Sequence, residues 1–370
     1  MSLSHKQPAE KYNFPDAKRL WHAEGEKTRS LGCMSCTFKG DCGGLSVSAG
    51  FYDCNSLCRC TDPSRCTKVC PNNKTQLIRS MKEVKGLSLA TVTRVAALSE
   101  VTLPQSVPML YHASKRAKLF GAPAVALSLF RMLNKQSGQL KYGSPQALRS
   151  AFKLATDTRV ILSGTHTDPS LERVWGLADR KAFFRSLAGL GVDLLTTPNY
   201  SLFCDNPRLD DLHSMKRIAI SYSEALQAGM ATALHVNGRT EYDYERWAQF
   251  VGEREEIQWL CLEFGTGAGR QSRIDFHVRQ INALARYVSR PLRLIIRGGA
   301  GELPNLLPNF ERITLIDTSA FVKTQRRQRA ALVYGKLTWE SAPTTKDELL
   351  DALLAHNVNT VAQSIERIAQ

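Results

Sequence analysis

Two groups of residues in this chain have the types and spacing to do chemistry. The first is sulfur. Of ten cysteines, eight lie between Cys33 and Cys70, as Cys33-x2-Cys36-x5-Cys42 and then Cys54-x3-Cys58-x-Cys60-x5-Cys66-x3-Cys70-Pro. No histidine interrupts the stretch, so the donor set is all thiolate and suits two four-cysteine sites. The expected cofactor is one or more iron–sulfur clusters, with zinc as the alternative. A disulfide scaffold needs an oxidising compartment, and Met1 to Pro8 has no apolar core of the kind a secretory signal needs. The segment has almost no aliphatic residues. It cannot build a core of its own and must be held by metal and by the rest of the chain.

The second group is oxygen and nitrogen placed where short apolar runs stop. His112, Asn199, His235, Asn237, Glu263, Arg297 and Asp317 each stand at or just past such an end. A carboxylate at the tip of a buried strand is costly without a task or a partner. Glu263 and Asp317 are therefore the candidate catalytic carboxylates, with His235 as a candidate base. Arg297 is the expected counter-charge for Asp317. Gly298, Gly299 and Gly301 follow it and let backbone amides approach an anion. Asn199, Asn237 and His112 complete the expected substrate contacts. A carboxylate placed like Asp317 can form a glycosyl ester, splitting one hard displacement into two easier ones.

Positioning these residues requires eight strands, and eight can be counted. Residues 108–113, 124–130, 159–164, 192–197, 231–237, 259–264, 293–301 and 313–319 each contain a short apolar, partly β-branched run. Such runs read as strands buried on both faces. Helical periodicity over 147–154, 179–190, 209–228, 242–252 and 274–288 separates most of them. The alternation predicts an α/β fold, a TIM (β/α)8 barrel whose site lies at the C-terminal ends of its strands. A doubly wound open sheet is the alternative. The expected organisation is an arm (1–32), a cysteine-rich metal lobe (33–73), the barrel (74–340) and a C-terminal helical extension (341–370). Leu349, Leu350, Leu353 and Leu354 are expected to share one face of that extension.

Lys and Arg outnumber Asp and Glu by 49 to 34, a net charge of +15. This imbalance favours a polyanionic partner, and Lys323, Arg326, Arg327 and Arg329 form the densest basic run beside a candidate site. The expected partner is nucleic acid, DNA or tRNA, together with other subunits of a multi-protein system. No apolar run approaches the ~20 residues of a membrane span, so a cytoplasmic protein without a membrane partner is expected.

Asp317, the Arg-rich turn to Arg329 and the run Ala330 to Trp339 together resemble the late catalytic segment of the tRNA-guanine transglycosylase superfamily. That superfamily includes DNA-acting relatives that insert 7-deazaguanine bases. Residues 191–203 and Asn206-Pro207-Arg208 are similar to the same group. The resemblance spans about residues 108–340 and implies base exchange, with Asp317 attacking C1′ of a nucleoside. The family's tRNA enzymes carry zinc cysteines after the barrel; here the cysteines precede it. Two other activities fit the same residues: an iron–sulfur redox enzyme of small molecules, and a non-catalytic nucleic-acid-binding subunit of a phage- or mobile-element-related assembly.

Overall fold

The apolar runs are strands, and they meet in a ring. A computed structural model of the chain describes residues 33–44, 54, 62–134, 138–265 and 271–370, with the backbone of the strand pair 28–29 and 46–47. The rest of the arm, Cys58, Cys60 and the glycine-rich 266–269 lie outside the described residues. Strands β1 (Ser106–Leu110), β2 (Ala124–Ser128), β3 (Arg159–Ser163), β4 (Leu194–Thr196), β5 (Thr232–His235), β6 (Trp259–Glu263), β7 (Arg293–Arg297) and β8 (Arg312–Asp317) form a closed barrel in sequence order. Every pairing is parallel, and β8 closes on β1 with Asp317 opposite Pro108. The fold is a TIM barrel.

Side chains alternate along each strand with a period of two, so each strand feeds two cores. Ala126, Ile161, Ala233, Cys261, Ile295 and Ile316 fill the barrel's interior. Leu127, Leu162, Leu234, Leu262, Ile296 and Leu315 belong to the outer core, where the helices pack. Each fully buried aliphatic residue contributes about 1.5–3 kcal/mol. A one-residue slip would exchange the two faces, so the register is firmly held.

Among the described residues nine helices have seven or more residues, and four of them start at a side-chain cap. The nine are α1 (Lys74–Val84), α2 (Pro145–Phe152), α3 (Asp168–Trp175), α4 (Arg180–Ala188), α5 (Arg208–Gln227), α6 (Glu241–Gly252) and α7 (Gln271–Val288), followed by α8 (Ser319–Gln325) and α9 (Asp351–Ile368). Asn73, Ser144 and Asp179 accept amides at the starts of α1, α2 and α4. Thr240 and Asp243 form a reciprocal capping box on α6. Helix α3, with proline in its first turn, was not expected from periodicity.

The described connection between β1 and β2, residues 111–123, contains no helix. Helix α9 is fixed to this connection instead. Leu350 N donates to the Lys115 carbonyl, and Asp351 accepts from the amides of Ala117 and Lys118. Leu350 and Leu354 are buried here, but Leu349 is half exposed, so the four leucines do not share one face. The run Ala330 to Trp339 is a hairpin, β9 (Gln328–Val333) with β10 (Lys336–Ser341), turning at Tyr334 and Gly335. Both turn residues have positive φ, the backbone of a tight two-residue hairpin turn. Buried Asn357 of α9 holds the hairpin: its Oδ1 accepts from Ala330 N, and its Nδ2 donates to Thr324 Oγ1 and the Gln328 carbonyl.

The cysteine segment sits against the start of α5. Val69 N donates to Asp210 Oδ1 at 3.1 Å, and Lys68 pairs with Asp210 Oδ2 at 3.3 Å. Cys42 closes a single helical turn, Lys39–Cys42, and is buried in the outer core.

Candidate active site at the barrel mouth

On six of the eight strands, β2 to β7, the same period of two puts a polar residue at the last inward-facing position. Counting up from the apolar interior, these positions are Ser128, Ser163, Thr196, His235, Glu263 and Arg297, a polar collar above an oily plug. Glu263 and Arg297 are Cα partners on adjacent strands. Their side chains meet at 3.1 Å, Glu263 almost fully buried and Arg297 one-fifth exposed. Glu263 Oε1 also accepts from Gly265 N at 2.7 Å, and the nearby Thr165 hydroxyl favours its charged form. Burial raises its pKa, against the pull of Arg297 and these donors.

His235 has a defined tautomer. Its Nδ1 lies 2.6 Å from the Thr197 carbonyl, which can only accept, so Nδ1 carries the hydrogen. Burial lowers its pKa to about 4, and the ring is neutral at physiological pH. Nε2 is then an acceptor, facing Cys261 Sγ at 3.1 Å and Thr165 Oγ1 at 3.4 Å. Burial pushes the Cys261 thiol well up, which keeps it the protonated donor. The pair is a satisfied S–H···N contact inside the barrel, one step behind Thr165.

A cleft of about 670 Å³ opens beside Ser128 and Arg297 of the collar. Met109, Tyr111, Ser128 and Arg131 line it on the β1–β2 side; Thr165 to Pro169, Ser201 and Arg297 complete it. Two guanidinium groups thus border one cleft. Asp168 is engaged by Ser201 Oγ at 2.5 Å. His166 is exposed, with its ring 5.0 Å from that of Phe130.

Several expected site residues lie elsewhere. Asp317 shares the parity of Ile313 and Leu315, which belong to the outer core, so its side chain points to the helix side. There it caps α8: Oδ1 accepts from Ser319 N at 2.9 Å and Ser319 Oγ at 2.6 Å, and Oδ2 from Ala320 N at 2.8 Å. Arg297 pairs with Glu263, not with Asp317, because those two share the interior face. Gly298 and Gly299 have positive φ, and a Cβ on Gly299 would stand 2.6 Å from the Phe264 ring. They make the turn after β7, and neither they nor Gly301 lines the cleft. Asn199 and Asn237 bond to each other at 3.2 Å, and Arg239 holds Asn237; they tie the β4 and β5 loops together.

His112 accepts Ser114 N at Nδ1 and stands edge-on to Phe321. Burial, then Arg131 and Arg116, lower its pKa. Lys323, Arg326, Arg327 and Arg329 surround the join between α8 and the hairpin. Lys323 lies over Trp339, Arg327 bonds Thr344, and Arg329 reaches His356, while Arg326 is exposed. Of the cysteines, Cys33, Cys42 and Cys70 are buried, Cys54 and Cys66 half-buried and Cys36 exposed. Cys66 Sγ accepts Lys68 N at 3.4 Å. Among the described residues no three Cys, His, Asp or Glu side chains gather as a metal-ligand set; Cys58 and Cys60 lie outside those residues.

Tyr111, Ser128, Arg131 and Ser201 were not singled out from sequence. Parity was the available signal: Ser128 is two residues past Ala126 on an inward face, and Arg131 follows within one turn.

No family model matches this chain, and no curated protein does. Among solved structures, one similar fold is a provisionally named lyase/mutase from Burkholderia cenocepacia J2315, at 16% identity and TM-score 0.34, covering 67% of this chain and 87% of that one. Another is the carboxyl transferase domain of Rhizobium etli pyruvate carboxylase, at 11% identity and TM-score 0.33, covering 80% and 51%. The same domain with 3-bromopyruvate gives 10% identity and TM-score 0.30, covering 75% and 54%.

Proposed function

We propose that this chain is an enzyme acting at the C-terminal mouth of its barrel on a phosphate-bearing nucleoside, free or within DNA or RNA. The observation that carries this reading is the pair of arginines, Arg131 and Arg297, bordering one cleft. Arginine is suited to phosphate because its planar fork donates two parallel hydrogen bonds. Glu263 holds Arg297 in place from beneath. Thr165, which lines the cleft, lies near that buried carboxylate, a position from which its hydroxyl can relay a proton between Glu263 and a bound substrate. The net charge of +15 supports a polyanionic source of the phosphate.

Base exchange is the reaction the family resemblance favours. Asp317 is poorly placed to attack, since three donors already occupy its oxygens on the helix side of the strand. The attacking carboxylate then belongs to the mouth, where Asp168 lines the cleft. The test is transfer of labelled guanine or a 7-deazaguanine into tRNA and duplex DNA. Transfer by wild type that persists in Asp317→Asn and disappears in Asp168→Asn supports this reading. Transfer lost in a folded Asp317→Asn protein restores Asp317 as the nucleophile; no transfer into either polynucleotide removes base exchange.

A further inference from the structure

The mouth contains two buried donors that the protein itself does not use. Ser128 ends β2, faces inward by parity with Ala124 and Ala126, and is 4% exposed. Its Oγ has no hydrogen-bond partner among the described residues. Arg297 spends Nη1 on Glu263, and its Nε is likewise buried without a partner. Both residues line the same cleft, and Arg131 borders it as well. Three other collar residues are differently occupied. Thr196 Oγ1 accepts Gly164 N, His235 is bonded on both ring nitrogens, and Glu263 has Arg297 and Gly265.

A buried hydroxyl without a partner keeps its desolvation cost unrepaid, and such groups are rare in folded proteins. A hydroxyl and a guanidinium on residues that line one cleft can both be satisfied by a group rich in acceptor oxygens and carrying negative charge. We infer that Ser128 and Arg297 together form the floor of an oxyanion subsite, where a phosphate oxygen of the ligand takes the Ser128 hydroxyl and the Arg297 Nε–H, with Arg131 closing the rim. This rests on the anion-binding reading above and adds a named residue outside the arginine pair. It also orders the ligand: the phosphate lies deep in the cleft, and the remainder of the molecule extends past Tyr111 and His166 toward solvent.

Ser128→Ala separates the possibilities, with inorganic phosphate as the probe and calorimetric titration and thermal unfolding as the readouts. The subsite predicts that Ser128→Ala binds phosphate about tenfold more weakly, the loss of one charge-assisted hydrogen bond. It also predicts that the ligand-free variant melts no lower than wild type, because the deleted hydroxyl had no internal partner. Ser128→Thr, which retains a hydroxyl, should recover part of the affinity. A lower melting temperature for ligand-free Ser128→Ala would mean that a resident water or a protein group already satisfies the hydroxyl, and it overturns the inference. Unchanged phosphate affinity in Ser128→Ala, with Arg297→Gln weakened, removes Ser128 and leaves the arginine anchor standing. If Arg297→Gln also binds phosphate like wild type, the anchor reading falls with it.

Discussion

Glu263 and Arg297 stand opposite each other because β6 and β7 pair in that register. The buried carboxylate and the buried histidine respond to pH with opposite signs. His235 is held near pKa 4 against an ordinary 6.5, so the unfolded chain takes up its proton first. Its contribution to stability is complete above pH 6.5 and is lost as pH falls toward 4. Glu263 is raised, so its folded form keeps a proton longer, and its contribution declines as pH rises through the folded value. His235→Asn should therefore lose less stability than wild type between pH 6.5 and 4, measured by denaturant titration across that range. Equal losses would mean that the histidine titrates alike in the folded and unfolded chain. Asp317 belongs to a different category of residue. Asp317→Ala removes the α8 cap and should cost about 1–2 kcal/mol while leaving phosphate binding unchanged; loss of binding at intact stability would return it to the site.

Elements show where sequence reading reaches and where it stops. The eight strands were legible because burial on both faces makes them continuous apolar runs, as in Ala124 to Ser128. Which strand-end residues face inward was not legible from the runs themselves. Asp317 and Arg297 both follow an isoleucine at a strand end, yet Ile316 lies in the interior and Ile296 outside. That one-residue difference in phase sends Asp317 to the helices and Arg297 to the mouth. The hairpin was hidden because its strands are held by α9, distant in sequence. Asn357→Leu leaves the partners of three hydrogen bonds unsatisfied and should destabilise the protein by about 3 kcal/mol, read by chemical denaturation; a change under about 1 kcal/mol would mean the hairpin packs without it. The cysteine segment presents a separate test. Its all-sulfur spacing predicts bound zinc or iron in purified protein, and chelation should open residues 62–73 to protease while the barrel keeps its circular dichroism. Protein free of both metals, with native thiols all reactive, would end that expectation.

At the scale of the whole molecule, the barrel supplies a mouth, the cysteine segment docks at the start of α5, and α9 braces the helix-free connection between β1 and β2. No described helix is long and apolar enough to cross a membrane. With +15 spread over the chain, binding to polynucleotides should weaken with salt, at a log–log slope of about −0.9 per duplex phosphate contacted. Replacing Arg326 and Arg329 should flatten that slope without touching the cleft; an unchanged slope would place the polyanion contacts elsewhere. The mouth itself is tested most directly by titrating a nucleoside 5′-monophosphate, and separately a single-stranded oligonucleotide, into wild type, Arg297→Gln and Arg131→Gln. Each substitution should weaken binding by about tenfold or more, with melting temperatures within a few degrees of wild type. Binding that is undiminished in both folded variants would contradict an anion site at the mouth of this barrel.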